Sequence, residues 1–267
     1  MFTLEPIETE TLSLNKRSVV NDVKVLKKIK KTCFTSDSRA CWIGGGLPFT
    51  SVKEFLPFSN WSTEHWAMYD GFLRDIDDDS KPKNVLDVGC GCGHATACLS
   101  SIYNNWDILA IDIDPICLNL AKEFNHSDKI SYQLADFMKF DLDKKYDYIF
   151  VLEVLEHVSP ADHYILMDKC LSSLDDGGML FITTPNENTD NTGKTKANSG
   201  GHIGILNNDL APKFYNRYKD NLVCEGFYDN AQLSSCDRNK FIVDEPFDSF
   251  KSTDRNRSHF KFTFKKE

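Results

Sequence analysis

What the chain lacks narrows it first. Nowhere in its 267 residues is there an unbroken apolar run of the roughly 18 residues that a membrane-crossing helix needs. Residues 1–20 alternate polar and apolar side chains without an apolar core of about 7 to 15 residues, so they are not expected to act as a secretory leader. Cysteine is present but unframed. The nine are an odd number, scattered at Cys33, Cys41, Cys90, Cys92, Cys98, Cys117, Cys170, Cys224 and Cys236. A small disulfide scaffold has an even, regularly spaced set, so a reducing, cytoplasmic setting is the expectation. Basic charge is short as well: 31 Lys and Arg stand against 40 Asp and Glu, a net charge of -9. Such a surface repels a polyanion at long range, and a nucleic-acid partner would need a local basic patch. A small-molecule partner fits more easily. Neither an internal repeat nor a coiled-coil heptad is visible.

Apolar residues make up 41% of the chain, too many for a disordered one, so it is expected to fold. The first 82 residues read as a largely helical N-terminal cap. A basic stretch at 24–31 carries Val25, Leu26 and Ile29 at helical spacing, and the loop 44–48 follows it. A second, aromatic-rich helix starts from Ser62 or Thr63 and runs through Trp66 and Tyr69 to about residue 76. Its aromatic stripe is read as packing. The acidic run 75–79 before Pro82 is the linker.

From Asn84 onward short apolar runs alternate with helical stretches, the pattern of βα units around a parallel sheet. Strands are expected at 85–88, 108–113, 130–134, 146–152 and 179–183, with a helix over 162–174. Residues 186–201 are rich in Asn, Thr, Gly and Lys and read as a loop, a candidate lid. Further on, 222–228 reads as a strand. The alternation of Phe260, Phe262 and Phe264 demands another with one buried face, the two completing the sheet as an antiparallel pair. The expected fold is therefore α/β and doubly wound, with a domain over 83–267 behind the cap 1–82.

The strongest motif is the apolar strand ending at Val88 that runs into Gly89-Cys90-Gly91-Cys92-Gly93 and then a helix. Glycine permits positive φ and a close ligand approach, and the helix that follows presents free N–H groups. The spacing is Gly-x-Gly-x-Gly, not the Gly-x-Gly-x-x-Gly that seats a pyrophosphate, which favours S-adenosylmethionine over NAD. Asp112 closes the next strand, where a carboxylate can accept from ribose hydroxyls, with Ile113 beside it. Asp136 ends the third strand, placed to accept from an adenine amino group while Phe137 donates its backbone N–H. Any one of these acids could be a solvated turn residue, but three at successive strand ends agree with one ligand. Leu152, ending the fourth strand, joins the expected cofactor contacts. Cys90 and Cys92 lack a partner pair and the spacing of a zinc knuckle, and are read as small turn residues.

Residues 85–93, Ala110-Ile111-Asp112-Ile113-Asp114, Ala135-Asp136-Phe137, Tyr146-Asp147-Tyr148-Ile149 and Gly177-Gly178-Met179-Leu180 resemble the successive motifs of class I methyltransferases. The resemblance covers about residues 83–185. It implies a Rossmann-like, seven-stranded, mostly parallel sheet and S-adenosylmethionine as methyl donor. It also implies Asp87, Gly89, Gly91, Asp112 and Asp136 as cofactor contacts. The first 80 residues show no such resemblance.

On the acceptor side, Glu153-Val154-Leu155-Glu156-His157 follows the fourth strand. If helical, it sets Glu153, Glu156 and His157 on one face. His157 is the best general base, since imidazole titrates near neutral pH. The blander reading has Glu153 capping the turn, Glu156 solvated and His157 a polar helix residue. The segment resembles that of ubiquinone-biosynthesis O-methyltransferases. More distantly, it resembles small-RNA 3′-terminal 2′-O-methyltransferases, in which Glu, Glu, His and a later His bind a divalent metal. His202 stands where that last ligand would fall, so Glu153, Glu156, His157 and His202 are the residues that would hold a metal. The main reading needs none. It is O-methylation of a small hydroxylated metabolite or sugar. The alternatives are a metal-assisted RNA 2′-O-methyltransferase, against which the acidic charge counts, and a non-catalytic adenosylmethionine-binding partner subunit.

Overall fold

A computed structural model describes residues 81–187, 202–228 and 259–267, with Tyr69, Phe72, Leu73 and Ile76 before them. In chain order its elements are β1 (Lys83–Val88), α1 (His94–Ile102), β2 (Trp106–Asp112), α2 (Pro115–Phe124), β3 (Ile130–Leu134) and β4 (Tyr146–Leu152). A one-turn 3-10 helix (Leu155–His157), α3 (His163–Ser173), β5 (Leu174–Pro185), α4 (Leu210–Asn216), β6 (Leu222–Tyr228) and β7 (His259–Lys265) follow. The strands form one sheet in the order β3-β2-β1-β4-β5-β7-β6. β7 pairs antiparallel with both β5 and β6, whereas β1–β4, β2–β3 and β4–β5 pair in parallel. The described residues fall into two compact units, one holding Cys90–Asp136 and the other Lys83–Gly89 with the described residues from Phe137 onward.

In the second unit, Val85, Leu86, Val88, Tyr148, Ile149, Phe150, Val151, Leu180, Phe181 and Ile182 are all buried. Parallel strands covered on both faces read as continuous apolar runs, which is why β1, β4 and the core of β5 were legible. The register Val88↔Val151 and Leu152↔Thr183 brings the strand ends level, so Glu153 emerges beside the end of β5. Antiparallel pairing of Pro185 with His259 then brings the first residue of β7 to the same end.

The structure corrects several boundaries. β2 begins two residues before the expected position, at Trp106, which is fully buried, and stops at Asp112, leaving Ile113 outside the strand. β5 runs from Leu174 to Pro185, longer than 179–183, because Leu174 pairs with Tyr146 ahead of an irregularity that contains Gly177 at φ 77°. β7 was expected to bury one face but buries both, Lys261 and Thr263 included, because it lies between β5 and β6 rather than at the edge. Its phenylalanines pack on α4 and β6: Phe262 meets Phe214 at 6.0 Å between ring centroids, and Phe260 meets Phe227 at 5.3 Å. Of the aromatic helix expected over 62–76, Tyr69, Phe72 and Leu73 are helical and buried. The rest of the cap and residues 188–201 lie outside the described residues. Among those described, no helix is long and apolar enough to cross a membrane.

At the start of α3 the buried His163 is bound into the fold. Its Nε2 lies 3.0 Å from the Leu155 carbonyl and 3.1 Å from that of Val158, so this nitrogen carries the proton and donates. Burial lowers its pKa against the opposing pull of those carbonyls. Between the folded value and the unfolded one near 6.5, the unfolded chain binds more protons, so this residue's contribution is full above about pH 6.5 and is lost as pH falls. His163→Gln should lower stability at pH 8 by about 1–2 kcal/mol, the cost of weakening a buried donor. It should also flatten the decline between pH 7 and 5, as measured by urea unfolding at each pH. An unchanged pH slope would show that His163 does not carry this linkage.

Candidate functional site

The glycine motif forms the turn between β1 and α1, and its three glycines have positive φ: Gly89 at 74°, Gly91 at 55° and Gly93 at 74°. Two of them also lack room. A Cβ on Gly89 would overlap Val154, and one on Gly93 would overlap the Tyr132 hydroxyl. Among the described residues nothing lies within 4 Å of a Cβ placed on Gly91, so they leave the space above that backbone open. The Cys90 N–H donates to the Ile111 carbonyl at 3.1 Å, which ties the loop to β2. Cys90 and Cys92 remain thiols inside this turn.

Asp112 braces the same loop. One carboxylate oxygen accepts from the Gly91 N–H at 2.7 Å and the other from the Asp114 N–H at 2.7 Å. Burial raises its pKa, and the two backbone donors oppose that rise. A carboxylate offers about four lone-pair sites, so each oxygen retains capacity for a further donor. Ile113 next to it is 59% exposed, and Leu134, ending β3, is 46% exposed: apolar surface left beside the loop. The Ala135 N–H donates to the Asp112 carbonyl at 3.0 Å, which places Asp136 just past the paired ends of β2 and β3.

Other expected contacts are more enclosed. Asp87 is fully buried in β1, Leu152 is buried at the end of β4, and Phe137 is buried with the Lys169 ammonium 5.0 Å from its ring centre.

The acceptor-side segment departs from expectation. It is not a regular helix: only Leu155–His157 make a 3-10 turn, and Glu153 stands before it at φ 55°, the left-handed region that side chains with a Cβ avoid. Its N–H donates to the Thr183 carbonyl at 3.1 Å, so strand pairing continues into the strained residue. Glu156 is 2% exposed rather than solvated, and accepts from the Thr184 hydroxyl at 3.1 Å. Burial, reinforced by the charge of Glu153, pushes its pKa well up. The Glu156 carbonyl accepts from the Ile203 and Gly204 N–H groups at 2.8 and 2.9 Å, which holds His202 over this turn.

His157 meets His202 edge-on at 4.8 Å between ring centroids. Burial, then the neighbouring His157, lowers the His202 pKa, while the Glu153 charge raises it.

Of the four residues expected to hold a metal, Glu156, His157 and His202 have donor atoms within 4.8 Å of one another. Ligands on one tetrahedral zinc, at roughly 2.1 Å each, sit roughly 3.4 Å apart, so the set would have to draw in to close on an ion. The fourth, Glu153, turns elsewhere: its Oε2 lies 3.2 Å from Nε2 of His259, at the head of β7. No sequence motif marks His259. Only the antiparallel return of β7 brings it here.

The family model for a methyltransferase domain matches residues 65–217, more than half of the chain. The chain belongs to that family. Its sheet has the seven-stranded, mostly parallel arrangement of a class I methyltransferase fold. Among curated relatives, the ubiquinone biosynthesis O-methyltransferase of Nitrobacter winogradskyi is 30% identical over 129 residues, 45% of this chain and 47% of the relative. The mitochondrial ubiquinone biosynthesis O-methyltransferase of Saccharomyces cerevisiae is 30% identical over 147 residues, 52% of this chain and 45% of the relative. The chain thus spans about half the length of these relatives. Among solved structures, the magnesium protoporphyrin IX methyltransferase of Synechocystis, with S-adenosylhomocysteine bound, superposes with a TM-score of 0.55 at 14% identity, covering 91% of this chain and 98% of the other. At that identity the likeness is one of fold.

The glycines give a contrast that calorimetry and thermal melting can read. Gly93→Ala combines positive φ with overlap and should cost at least about 2 kcal/mol of stability. Gly91→Ala carries only the backbone cost of about 1 kcal/mol, but its methyl fills the open space and should weaken S-adenosylmethionine binding roughly tenfold. Equal stability losses with unchanged binding in the Gly91 variant would show that the space is not the cofactor's.

Proposed function

We propose that the protein transfers a methyl group from S-adenosylmethionine to a hydroxyl of a small metabolite or sugar. The catalytic domain would be residues 83–267, with 1–82 as a cap. The observation that carries this is His157, an imidazole 34% exposed, set among Glu153, Glu156 and His202 just past the end of β4. In open α/β sheets ligands bind beyond the carboxyl ends of the strands. A hydroxyl attacks well only as its proton leaves, and this cluster holds groups able to take one. The O-methyltransferase names of the curated relatives agree with the reading.

In the proposed arrangement, Gly89, Cys90, Gly91 and Gly93 keep their side chains away from the donor. Asp112 uses its remaining lone pairs for ribose hydroxyls, and Ile113 offers its exposed apolar surface to the adenine. Asp136 and Phe137 meet the adenine edge, with Asp87 and Leu152 supporting the floor. Bound there, S-adenosylmethionine supplies an electrophilic methyl on a sulfonium. The chain's own work is to hold the acceptor oxygen in line with that methyl and remove its proton. His157 takes the proton, and the Glu153 carboxylate offsets the positive charge that then forms on the imidazoles. The Glu156, His157 and His202 donor set favours a second reading, in which a divalent metal lowers the pKa of the acceptor hydroxyl.

Calorimetry with S-adenosylmethionine, S-adenosylhomocysteine and NAD, with and without Mg²⁺, Mn²⁺ or Zn²⁺, comes first. The first two should bind and NAD should not. Asp112→Ala should weaken binding at least roughly tenfold. His157→Ala should keep binding and lower turnover on hydroxylated acceptors roughly 10²- to 10⁴-fold. Binding without turnover on any acceptor would favour a partner subunit, and turnover abolished by chelation and restored by one cation would favour the metal-assisted route.

A further inference from the structure

We propose that His259 is a positioning residue of the acceptor site, holding the Glu153 carboxylate where its charge reaches the His157–His202 pair. The inference rests on the O-methylation reading and adds a residue that reading does not use. Three observations meet on it.

Glu153 is the one non-glycine among the described residues at positive φ. That backbone costs a side chain with a Cβ roughly 1–2 kcal/mol, and such strain persists only where surrounding contacts fix it. It directs the side chain of Glu153 to His259, whose Nε2 lies 3.2 Å from Oε2 with both side chains mostly buried.

The second observation is topological. Pairing of Pro185 with His259 fixes the first residue of β7 beside the end of β5, and the Glu153 N–H is bonded to the Thr183 carbonyl of β5. Both partners are therefore anchored on one rigid strand rather than on a loop. The third is electrostatic. His202 feels the charges of His157, Glu153 and His259 together, so the Glu153–His259 pair and the two edge-on imidazoles are one connected group.

During transfer the acceptor oxygen forms its bond to the methyl carbon, the methyl–sulfur bond breaks with its electron pair left on sulfur, and the hydroxyl proton passes to His157. The imidazolium so formed needs a fixed counter-charge. Glu153 supplies it, and the His259 N–H keeps that carboxylate from swinging away.

The test is a double-mutant cycle in the full chain, assayed with S-adenosylmethionine carrying a tritiated methyl and with 3,4-dihydroxybenzoate and methyl glucoside as acceptors. His259→Phe should lower kcat roughly tenfold or more while the calorimetric Kd for S-adenosylmethionine stays the same. His259→Gln, whose amide can still donate to Glu153, should recover most of the loss. In a Glu153→Gln background, adding His259→Phe should change kcat less than roughly twofold. Additive losses in the cycle, or an unchanged kcat in His259→Phe, would overturn the role of His259 and leave the O-methylation reading standing. A wild-type chain that binds the cofactor but methylates neither acceptor, nor any wider hydroxylated panel, would overturn that reading and this role with it.

Discussion

The glycine loop depends on one carboxylate. Asp112 ends β2, and both of its oxygens are committed to backbone N–H groups, Gly91 on one side and Asp114 on the other. A turn with three residues at positive φ has little local preference for a single shape, since glycine is the residue that loses most freedom on folding. The bond from Gly91 to Asp112 removes that freedom, and the bond from Cys90 to the Ile111 carbonyl pins the loop one residue earlier. Burial raises the pKa of this carboxyl, and the backbone N–H groups of Asp114, Gly91 and Ile113 oppose that rise. The same group that orders the loop thereby sits at the strand end with its lone pairs turned to backbone donors.

How far this could be read in advance depended on the element. The strands β1, β3 and β4 lay within a residue or two of where the apolar runs put them, and for β1 and β4 the reason is that strands buried on both faces have no polar alternation to confuse the pattern. β7 was legible as a strand, but its surroundings were not. Phe260, Phe262 and Phe264 announce a buried face, yet Lys261 and Thr263 are buried on the other, and polar residues there give no hint of an interior position. The glycine loop was legible because positive φ leaves a mark in composition. Glu153 has the same backbone sign with no such mark, so the segment from 153 to 157 read as a helix.

Helix and 3-10 turn differ in consequence as well as in shape. On a regular helix Glu153, Glu156 and His157 would share one face as near equivalents. In the structure they part. Glu153 turns back toward β7, Glu156 sinks beneath Thr184 with its pKa pushed up by burial, and His157 stays partly in solvent against His202. Two carboxyls three residues apart thus end in different protonation environments, as acid–base sites require of chemically similar groups.

That division is maintained from outside the segment. The Glu156 carbonyl fixes residues 203 and 204, and the position of Gly204 admits no side chain because a Cβ would overlap the Val158 carbonyl and crowd His163. His163 in turn bonds the Leu155 and Val158 carbonyls, closing the 3-10 turn from below. The buried imidazole of His163 therefore shapes the turn while His157 and His202 face each other above it. A lone histidine in a sequence does not declare which of these it is. Here the distinction is made by partners: two backbone carbonyls hold the Nε2 of His163 within the fold, whereas His157 and His202 each lie against another imidazole beside a buried carboxyl.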